Sequence, residues 1–597
     1  MSDRQKAVKK KLPVGSSDFR KLREGGYHYV DKSLFIRDIA EASAEVTLLP
    51  RPRRFGKTLN LSMLRYFFEK SDEDRSGLFG KLAIRDDECF EAHQGKYPVI
   101  RMTFKDIREG TWDACYKKLT GIIRNIFRQH REMLLSSEIC DETDRKLIRH
   151  FLEKTANSEE CEDSLRFLSE CLFSHYQKKV VILIDEYDTP LHAGYAGGYY
   201  KDAISFIRNF LSGGLKDNEH LFRGVLTGIL RVAKESVFSG LNNPGVYTVL
   251  SRKFSDAFGF TVPEVRQFLE ERGMGDRYED VSHWYNGYLF GGRVIFNPWS
   301  VINYADNEGE AKPYWINTAD TGMIDRLATR GSRELREEIG QLLEGRKLTK
   351  PVYESIVMRD LEKRDDLLWS FLLFSGYLKL SGPAIRRNFY ELEIPNEEVR
   401  IVYEEMVGRW FAEKTESNQL EEMLRALEIG DVKLFEKMLR LIVMRIMSYH
   451  DLAGEPEKVY HALVLGMLVW MSGKYEMRSN RESGYGRYDL MLKPDDPEGQ
   501  GIIIEFKRLD EDEEQDADDD GKRKKRKKKK TPQDALEEAL KQIEDRGYAD
   551  ELEAAGIRKI LKLAVVFSGK KLWVKQGGQR HPAQSSDSGP SGIPRER

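Results

Sequence analysis

The chain has 597 residues, a third of them charged, yet its formal net charge is only −2 because 97 Lys and Arg balance 99 Asp and Glu. This length predicts roughly two to four domains. A hydrophobic fraction of 40% is enough to build buried cores, which excludes a wholly disordered protein. The near-neutral total excludes a uniformly basic nucleic-acid binder but permits a local basic surface.

Targeting and redox signals favour a cytoplasmic protein. The start, MSDRQKAVKKKL, has charge but no apolar segment after it, so no secretory signal is predicted. The longest apolar stretch, Val459 to Met471, is too short to span a bilayer and predicts a buried helix. Five cysteines without CxxC spacing suit a reducing compartment better than a disulfide or zinc framework. We therefore expect no membrane partner.

The first third of the chain alternates apolar strand-like runs with amphipathic helical runs. The strand-like runs begin near Glu45, Tyr97, Lys178 and Phe222. Continuous β-branched and Leu runs separated by helices predict a parallel sheet covered on both faces. We assign residues 1–259 to this α/β domain.

A phosphate-binding loop is predicted between the first strand and the helix that follows it. Gly56, Lys57 and Thr58 have the context of a Walker A motif, in which backbone N–H groups cradle phosphates, the Lys reaches the β/γ oxygens and the hydroxyl binds Mg²⁺. The motif places a Gly five residues before Gly56, where this chain has Arg51. The alternative interpretation is a surface turn followed by a helix start.

The loop is unusually cationic. Arg51, Arg53 and Arg54 surround Pro52, and three arginines beside a helix N-terminus predict a strong anion site. We expect Arg53 and Arg54 to contact the nucleotide.

An acidic pair at the end of a later strand supplies the second half of the motif. Asp185 would hold Mg²⁺ as a Walker B Asp does, and Glu186 would polarise the attacking water as general base. A strand ending in two acids can also be simply a strand that meets solvent. A third strand carries Thr227, followed by Arg231, which could contact the γ-phosphate or neutralise transition-state charge. For these two residues a structural role is an equal alternative.

The rest of the chain divides into three parts. From about Phe260 the pattern is mainly helical, and we assign 260–397 to a lid or linker and 398–575 to a helical lead-in with a compact α/β domain. Residues 576–597 read as a disordered tail. Within the α/β domain, the insert 510–532 has nine acids from Asp510 to Asp520 and nine cations from Lys522 to Lys530. It predicts a solvated loop, or alternatively a phosphate-contacting arm.

A metal-dependent nuclease constellation is predicted in the last domain. Asp489 and Glu505 would hold Mg²⁺ or Mn²⁺ through oxygen ligands, and Lys507 would orient or help to deprotonate a water. Glu505 and Lys507 share a face because side chains in a strand repeat every two residues. Glu457 and Gln542 could support the site. The alternatives are a hairpin acid at Asp489 and an edge-strand ion pair between Glu505 and Lys507.

The chain resembles the AAA-ATPase-like proteins of bacteria and archaea that carry a C-terminal PD-(D/E)XK nuclease-like domain. The resemblance rests on a run of motifs in order: LPVGSSDFRKLREGGYHYVDKSLFI, RPRRFGKT, LIDEYDTPL, LTGILRVAKESVFSGLNN, WYNGYLFGG, FNPWS, PYWINT, YHALVLGMLVW and IIIEFK. The arginine-rich loop without the first Gly is typical of this family, whereas Tyr488 replaces the Pro of the nuclease motif.

The leading functional hypothesis is an ATP-binding and ATP-hydrolysing enzyme coupled to a metal-dependent nuclease that acts on nucleic acid, with DNA as the expected substrate. AAA-type ATPases usually work as oligomers, which leaves a homo-oligomer open. The alternative is a nucleotide-gated signalling or scaffold ATPase whose C-terminal domain binds nucleic acid without cutting it. A third possibility is a nucleotide-gated interaction protein without a nucleic-acid partner.

Overall fold

The computed structural model describes most of the chain in two compact units, Met1–Tyr403 and Glu404–Arg597. The described residues are 10–136, 140–231, 244–315, 333–343, 345–356, 358–361, 364–412, 417–446, 471, 474–479, 482–483, 486–487, 490–509, 531–545, 547, 549–568 and 571–578.

The first unit is built on a five-stranded parallel sheet with the order β2-β3-β4-β1-β5. Its strands are β1 (Val46–Pro50), β2 (Val99–Thr103), β3 (Val180–Asp185), β4 (Leu221–Gly228) and β5 (Gly245–Val246). Every residue of β1 and β3 is buried, so both faces of these strands are covered. The predicted parallel sheet is confirmed, and β4 lies between the strand that precedes the phosphate loop and the strand that carries the acids.

The helices of the first unit follow from amphipathic spacing and from capping residues. In the helix Trp112–Gln129, for example, one face is buried at helical spacing, through Cys115, Leu119, Ile123, Ile126 and Phe127. The helices are α1 (Phe19–Glu24), α2 (Phe35–Ala40), α3 (Lys57–Phe68), α4 (Glu88–His93), α5 (Trp112–Gln129), α6 (Arg131–Ser136), α7 (Glu142–Glu153), α8 (Ser158–Tyr176), α9 (Thr189–Gly197), α10 (Tyr200–Leu215), α11 (Val262–Arg272), α12 (Tyr278–Tyr285), α13 (Pro298–Asp306), α14 (Arg333–Leu343), α15 (Asp365–Ser375) and α16 (Glu397–Ala412).

The described residues of the first unit also form short 3₁₀ turns at Ser76–Phe79, Ala83–Asp86, Gly275–Arg277 and Met358–Asp360.

The described residues from Phe260 to residue 397 form the helices α11 to α15 and also two small antiparallel sheets that the sequence pattern did not indicate. One has the order β6-β8-β7 and the other β10-β11-β9. These strands are only two to five residues long, which explains why they give little periodic signal. They are β6 (Phe260–Thr261), β7 (Tyr288–Phe290), β8 (Arg293–Phe296), β9 (Leu348–Pro351), β10 (Lys379–Leu380) and β11 (Phe389–Glu393).

The second unit contains a five-stranded mixed sheet with the order β12-β15-β16-β17-β18, and a two-stranded hairpin of β13 and β14. Only β16 and β17 pair in parallel. The strands are β12 (Tyr475–Ser479), β13 (Glu482–Ser483), β14 (Gly486–Arg487), β15 (Leu490–Pro494), β16 (Gln500–Arg508), β17 (Lys559–Ser568) and β18 (Lys571–Gln576), and the helices are α17 (Ser417–Ile429), α18 (Val432–Ile446), α19 (Pro532–Asp545) and α20 (Asp550–Ala554).

The two faces of β16 pack against different helices. Ile502, Ile504 and Phe506 join the buried cluster formed with α17 and α18, whereas Ile503 joins the cluster formed with α19 and α20. Because side chains alternate along a strand, this register also decides which face Glu505 and Lys507 occupy. Both lie on the face covered by α19.

In the part of the chain that the structure describes, no helix is long and apolar enough to cross a membrane. The apolar stretch from Val459 ends at Met471, and all of it except Met471 lies outside the described residues.

Candidate active sites

The loop between β1 and α3 turns sharply at its end. Gly56 precedes α3 with a φ of 86°, a left-handed conformation that favours glycine, and Arg54 also has a positive φ of 69°. Arg51 is not among the residues with positive φ. Its position therefore does not require the glycine that the Walker A pattern places there.

Arg51 differs from the picture of a loop with three arginines open to an anion. It is completely buried, and its guanidinium donates to the carbonyl oxygens of Pro50 (2.8 Å), Tyr247 (2.6 Å) and Phe254 (2.9 Å). Its guanidinium carbon also lies 5.2 Å from the centre of the Phe258 ring. Burial lowers the pKa of Arg51 to about 9, so it stays charged at neutral pH. Its role is to tie the start of the loop to the segment around residues 247–258.

Lys57, the first residue of α3, points back into its own loop. Its ammonium group donates to the carbonyl oxygens of Arg51 (2.9 Å) and Pro52 (3.3 Å), and it lies 3.2 Å from a carboxylate oxygen of Glu186. Only 4% of Lys57 is exposed. The predicted phosphate-binding lysine and the predicted general base are therefore in direct contact in this structure.

Asp185 is the centre of the predicted metal site. One carboxylate oxygen accepts a hydrogen bond from the Thr58 hydroxyl and the other from the Thr227 hydroxyl, each at 2.7 Å. The sheet register explains this meeting, because Ile184 pairs with Leu226 and Leu49 pairs with Thr227. Three predicted residues from distant parts of the sequence thus meet at the carboxyl edge of the sheet.

Glu186 follows Asp185 in a left-handed conformation, with a φ of 53°. This conformation is uncommon for a residue with a side chain and aims Glu186 at Lys57. Burial raises the pKa of Glu186 above its usual range, Lys57 opposes this shift, and the neighbouring charges of Asp188 and Asp185 add to it. A raised pKa makes the carboxylate a better proton acceptor, which suits a general base.

The donor set around Asp185 fits a magnesium ion. Carboxylate and hydroxyl oxygens are hard ligands of the kind that Mg²⁺ prefers, and both hydroxyls already touch the carboxylate. The oxygens of Asp185 and Thr58 are the ones that would hold the ion. A Mg²⁺ ion bound there would supply a Lewis acid for the phosphate oxygens.

Two tryptophans contact the remaining loop arginines. The guanidinium carbon of Arg54 lies 4.2 Å from the centre of the Trp299 ring, and the indole N–H of Trp315 donates to the Arg53 carbonyl oxygen at 3.3 Å. The Arg54 side chain is exposed and that of Arg53 is half-buried. The nucleotide contacts expected of Arg53 and Arg54 stay predictions.

Trp315 is itself held by a buried carboxylate. Glu398, in the first turn of α16, accepts hydrogen bonds from the Trp315 backbone N–H and from the Ser300 hydroxyl. Burial raises the pKa of Glu398 to about 8, and the two hydrogen bonds moderate this shift.

Arg231 lies three residues beyond the end of β4, and its carbonyl oxygen accepts a hydrogen bond from the Ile356 N–H at 3.3 Å. Its Nε atom is buried and has no hydrogen-bond partner among the described residues. This N–H group is therefore able to donate a hydrogen bond to an anion. The prediction for Arg231 is neither confirmed nor contradicted.

The second site lies on β16. Glu505 is 2% exposed, and one of its carboxylate oxygens lies 3.4 Å from the Lys507 ammonium group. That ammonium group also donates to the side-chain oxygen of Gln542 on α19 at 2.7 Å. The structure therefore brings together two of the predicted nuclease residues and the residue expected to support them.

The other nuclease predictions fall where the structure gives no description. Asp489, Glu457 and the insert from Asp510 to Lys530 lie outside the described residues. Among the residues that are described, no group of three or more His, Cys, Asp or Glu could hold a metal ion. Of the two predicted metal ligands of this site, Glu505 is the one that lies among the described residues.

Sequence reasoning missed one residue beside the first site. Asp188 is completely buried, and its Oδ2 atom accepts hydrogen bonds from the N–H groups of Ile229 and Leu230, both at 2.9 Å. His192 lies 3.2 Å from the same oxygen. Burial alone would raise the pKa of Asp188, but His192 and the two N–H groups lower it further than burial raises it. The signal in the sequence was only an acid three residues after Asp185.

A parallel sheet with a lysine-bearing loop after one strand and an acidic pair at the end of another defines a P-loop ATPase fold. The mixed sheet with Glu-x-Lys on a central strand defines a second, nuclease-like domain. Comparison with family models agrees. Residues 13–238 match the predicted AAA-ATPase family, and residues 455–577 match the PD-(D/E)XK nuclease superfamily. The chain thus combines an AAA-ATPase-like domain with a PD-(D/E)XK nuclease-superfamily domain, which confirms the architecture expected from its motifs.

Two individual proteins are similar to this chain. An uncharacterized protein from the vnfD 5′ region of Azotobacter chroococcum mcd 1 is 26% identical over 577 residues, which cover 94% of this chain and 97% of the relative. A Walker-type ATPase of Pyrococcus abyssi, known by its structure, is 15% identical, with a TM-score of 0.36 over 65% of this chain and 98% of the other.

Proposed function

We propose that the protein binds and hydrolyses ATP in its first unit and cuts nucleic acid, with DNA as the substrate, in a Mg²⁺- or Mn²⁺-dependent reaction in its second unit. The family matches support an ATPase domain and a nuclease-like domain. The observation that carries the ATPase proposal is the meeting of Asp185 with the hydroxyls of Thr58 and Thr227, next to the contact between Lys57 and Glu186.

Each residue of the first site has a role that its position supports. The backbone around Gly56 and the N-terminus of α3 offer N–H groups to phosphate oxygens, and Lys57 is long enough to leave its loop carbonyls for the same oxygens. Arg53 and Arg54 add positive charge at the loop surface. Glu186, freed from Lys57 when the lysine moves to phosphate, accepts a proton from the attacking water.

The nuclease proposal rests on the Glu505, Lys507 and Gln542 contacts. In the antiparallel pair of β15 and β16, Leu490 is opposite Ile504. Asp489, the second carboxylate that the sequence predicts, lies outside the described residues and stays a prediction. Lys507, held by Gln542, would then orient the water that attacks the phosphodiester, while the metal neutralises the developing charge.

A direct assay tests both halves of the proposal. The purified full-length chain is incubated with single- and double-stranded DNA and RNA, with and without ATP, in Mg²⁺ and in Mn²⁺. We expect ATP hydrolysis and metal-dependent cleavage of DNA. Binding of nucleic acid without cleavage would instead select the signalling or scaffold ATPase. ATP hydrolysis without any nucleic-acid binding would select an interaction protein.

Two variants test the ATPase half specifically. Lys57→Ala should abolish ATP binding, because the charge that faces the phosphates is lost. Glu186→Gln should keep ATP binding but stop hydrolysis, because an amide cannot accept the proton. Unchanged turnover in both variants would contradict the proposal.

We further propose that the protein acts in the cytoplasm and leave homo-oligomerisation as an expectation. The compartment is supported by the cysteines, because Cys89, Cys115, Cys140, Cys161 and Cys171 are all free and buried. Size-exclusion chromatography with light scattering, with and without ATP, would measure the oligomeric state.

A further inference from the structure

The segment Gly228–Arg231, which we call the exit segment, carries the chain out of β4 beside the ATPase site. The carboxylate of Asp188 accepts hydrogen bonds from the N–H groups of Ile229 and Leu230. The Tyr187 hydroxyl donates to the Leu230 carbonyl oxygen at 2.6 Å. Consecutive peptide groups of the exit segment are therefore fixed by two neighbouring side chains.

The exit segment is also tied to the phosphate loop. The Gly228 carbonyl oxygen accepts a hydrogen bond from the Arg51 N–H at 3.0 Å, and Pro50 pairs with Gly228 in the sheet. The Tyr187 N–H donates to the Thr227 carbonyl oxygen at 3.0 Å. The phosphate loop, the acidic strand and the exit segment thus share one network of hydrogen bonds.

Gly228 allows this close approach. A Cβ atom built on Gly228 would lie 2.6 Å from Oδ1 of Asp188 and 2.8 Å from the ring of Tyr187. Any side chain at position 228 would push these two residues away from the exit segment. The contact between the Asp188 carboxylate and the exit segment therefore depends on having glycine at position 228.

Two residues connect this network to the reaction. At one end, Glu186 directly precedes Tyr187 and Asp188. The same turn therefore positions the proposed general base and the two side chains that hold the exit segment. At the other end, Arg231 directly follows Leu230, and its buried Nε atom has no hydrogen-bond partner among the described residues. An arginine with an unused donor, held at the carboxyl edge of the sheet, is suited to an anion.

We infer that Asp188, assisted by Tyr187, is a positioning residue for ATP hydrolysis that holds the exit segment so that Arg231 faces the phosphates. This inference rests on the proposed ATPase function. Asp188 itself touches no substrate. It acts through Arg231, and its loss should slow turnover while leaving the contacts of Lys57 and Thr58 with nucleotide intact.

A double-mutant cycle on the full-length chain tests this role. The measurements are kcat for Mg-ATP, the Kd of ATP and the Tm for Asp188→Ala, Arg231→Ala and the double variant. We expect Asp188→Ala to lower kcat by about tenfold or more and to change Kd by less than about threefold. In the Arg231→Ala background, Asp188→Ala should lower kcat no further, although it should still lower Tm.

Three further variants separate positioning from folding. Asp188→Asn retains an oxygen acceptor and should lose less activity than Asp188→Ala. Tyr187→Phe removes one hydroxyl and should lower kcat by about threefold, again only when Arg231 is present. Asn218→Ala is the matched control, since Asn218 is buried at the opposite end of β4 and donates to the Gly214 carbonyl. It should lower Tm but leave kcat unchanged.

The outcomes are distinguishable. Equal losses of kcat from Asp188→Ala with and without Arg231, or a Kd that rises in step with the loss of kcat, would overturn the positioning role while the ATPase proposal stands. A wild-type chain that binds ATP but hydrolyses none would overturn both. If Asp188→Ala does not fold, the same comparison with Tyr187→Phe decides.

Discussion

The two sites both centre on a buried carboxylate at a strand, but the partners of that carboxylate differ. Asp185 accepts hydrogen bonds from two neutral hydroxyls and forms no ion pair with any residue that the structure describes. Glu505 lies 3.4 Å from the ammonium group of Lys507, two residues along the same strand. The first site is therefore assembled across three segments by the sheet register, whereas the described part of the second is assembled from one strand and one helix.

The different partners of the two carboxylates predict how each site responds to a bound cation. A buried carboxylate without a cationic partner is unfavourable and gains from a bound cation, so we expect the first site to be strongly stabilised by Mg-ATP. The second carboxylate already has a cation beside it, so we expect metal binding there to change stability less.

Glu505→Gln should abolish the second site's chemistry. The amide keeps the size of the side chain but loses the charge that binds metal, so we expect metal-dependent cleavage to fall by about 10³-fold with ATP turnover unchanged. Cleavage products on a denaturing gel provide the measurement. Lys493→Ala is a control on the adjacent strand, since Lys493 forms an exposed pair with Glu476. Retained cleavage by Glu505→Gln would remove Glu505 from the site.

Thr227→Val should weaken the first site without affecting the second. The variant loses the hydroxyl that donates to Asp185, a hydrogen bond to a charged group worth about 1.5–3 kcal/mol. We expect ATP turnover to fall about tenfold or more. Thr47→Val, at a buried threonine of β1, is the matched control and should leave turnover unchanged. Equal effects of the two substitutions would show that Thr227 serves only packing.

Gln542→Leu should produce a smaller loss at the second site. The Lys507 ammonium group loses its 2.7 Å acceptor, and we expect cleavage to fall by about fivefold to tenfold while DNA binding stays the same. Gln533→Leu is the control on the same helix, because Gln533 is exposed and contacts Glu537. A larger loss of DNA binding than of cleavage would assign Gln542 to substrate contact instead.

Glu398→Gln should change only the pH dependence of stability. The pKa of Glu398 is raised to about 8 in the folded protein, so its contribution to stability is present at low pH and is lost as pH rises through about 8. The glutamine variant lacks this loss. We expect the Tm of wild type relative to Glu398→Gln to fall from about pH 4.5 to about pH 8 and to stay level above that. A difference that stays constant across this range would contradict a raised pKa of Glu398.

The sequence predicted the parallel sheet and most of the first site because these depend on local patterns. Apolar strands that end in charged or hydroxyl residues are visible without a structure, and parallel strands bring those ends to one edge. That rule places Asp185 and Thr227 at the same edge, but the hydrogen bonds of Asp185 with Thr58 and Thr227 are seen only in the structure. In the second unit the Glu-x-Lys pattern indicated the strand β16, whereas β12 and β18, which are short runs with mixed polarity, gave no such signal.

Other features depend on tertiary contacts that no local pattern shows. Arg51 looks like a phosphate ligand because it is an arginine in the loop, but three carbonyl groups from the segments around it bury its guanidinium. Asp188 looks like a solvent-facing acid, and only the path of β4 shows that it holds Ile229 and Leu230. In both cases the partner groups are backbone atoms, which carry no residue-specific signal.

The most direct test of two separate catalytic sites is to measure ATP turnover and DNA cleavage on the same samples of wild type, Lys57→Ala and Glu505→Gln. We predict that wild type performs both reactions, that Lys57→Ala loses ATP turnover, and that Glu505→Gln keeps ATP turnover but loses cleavage. ATP turnover that survives Lys57→Ala, or cleavage that survives Glu505→Gln, would contradict the assignment of these sites.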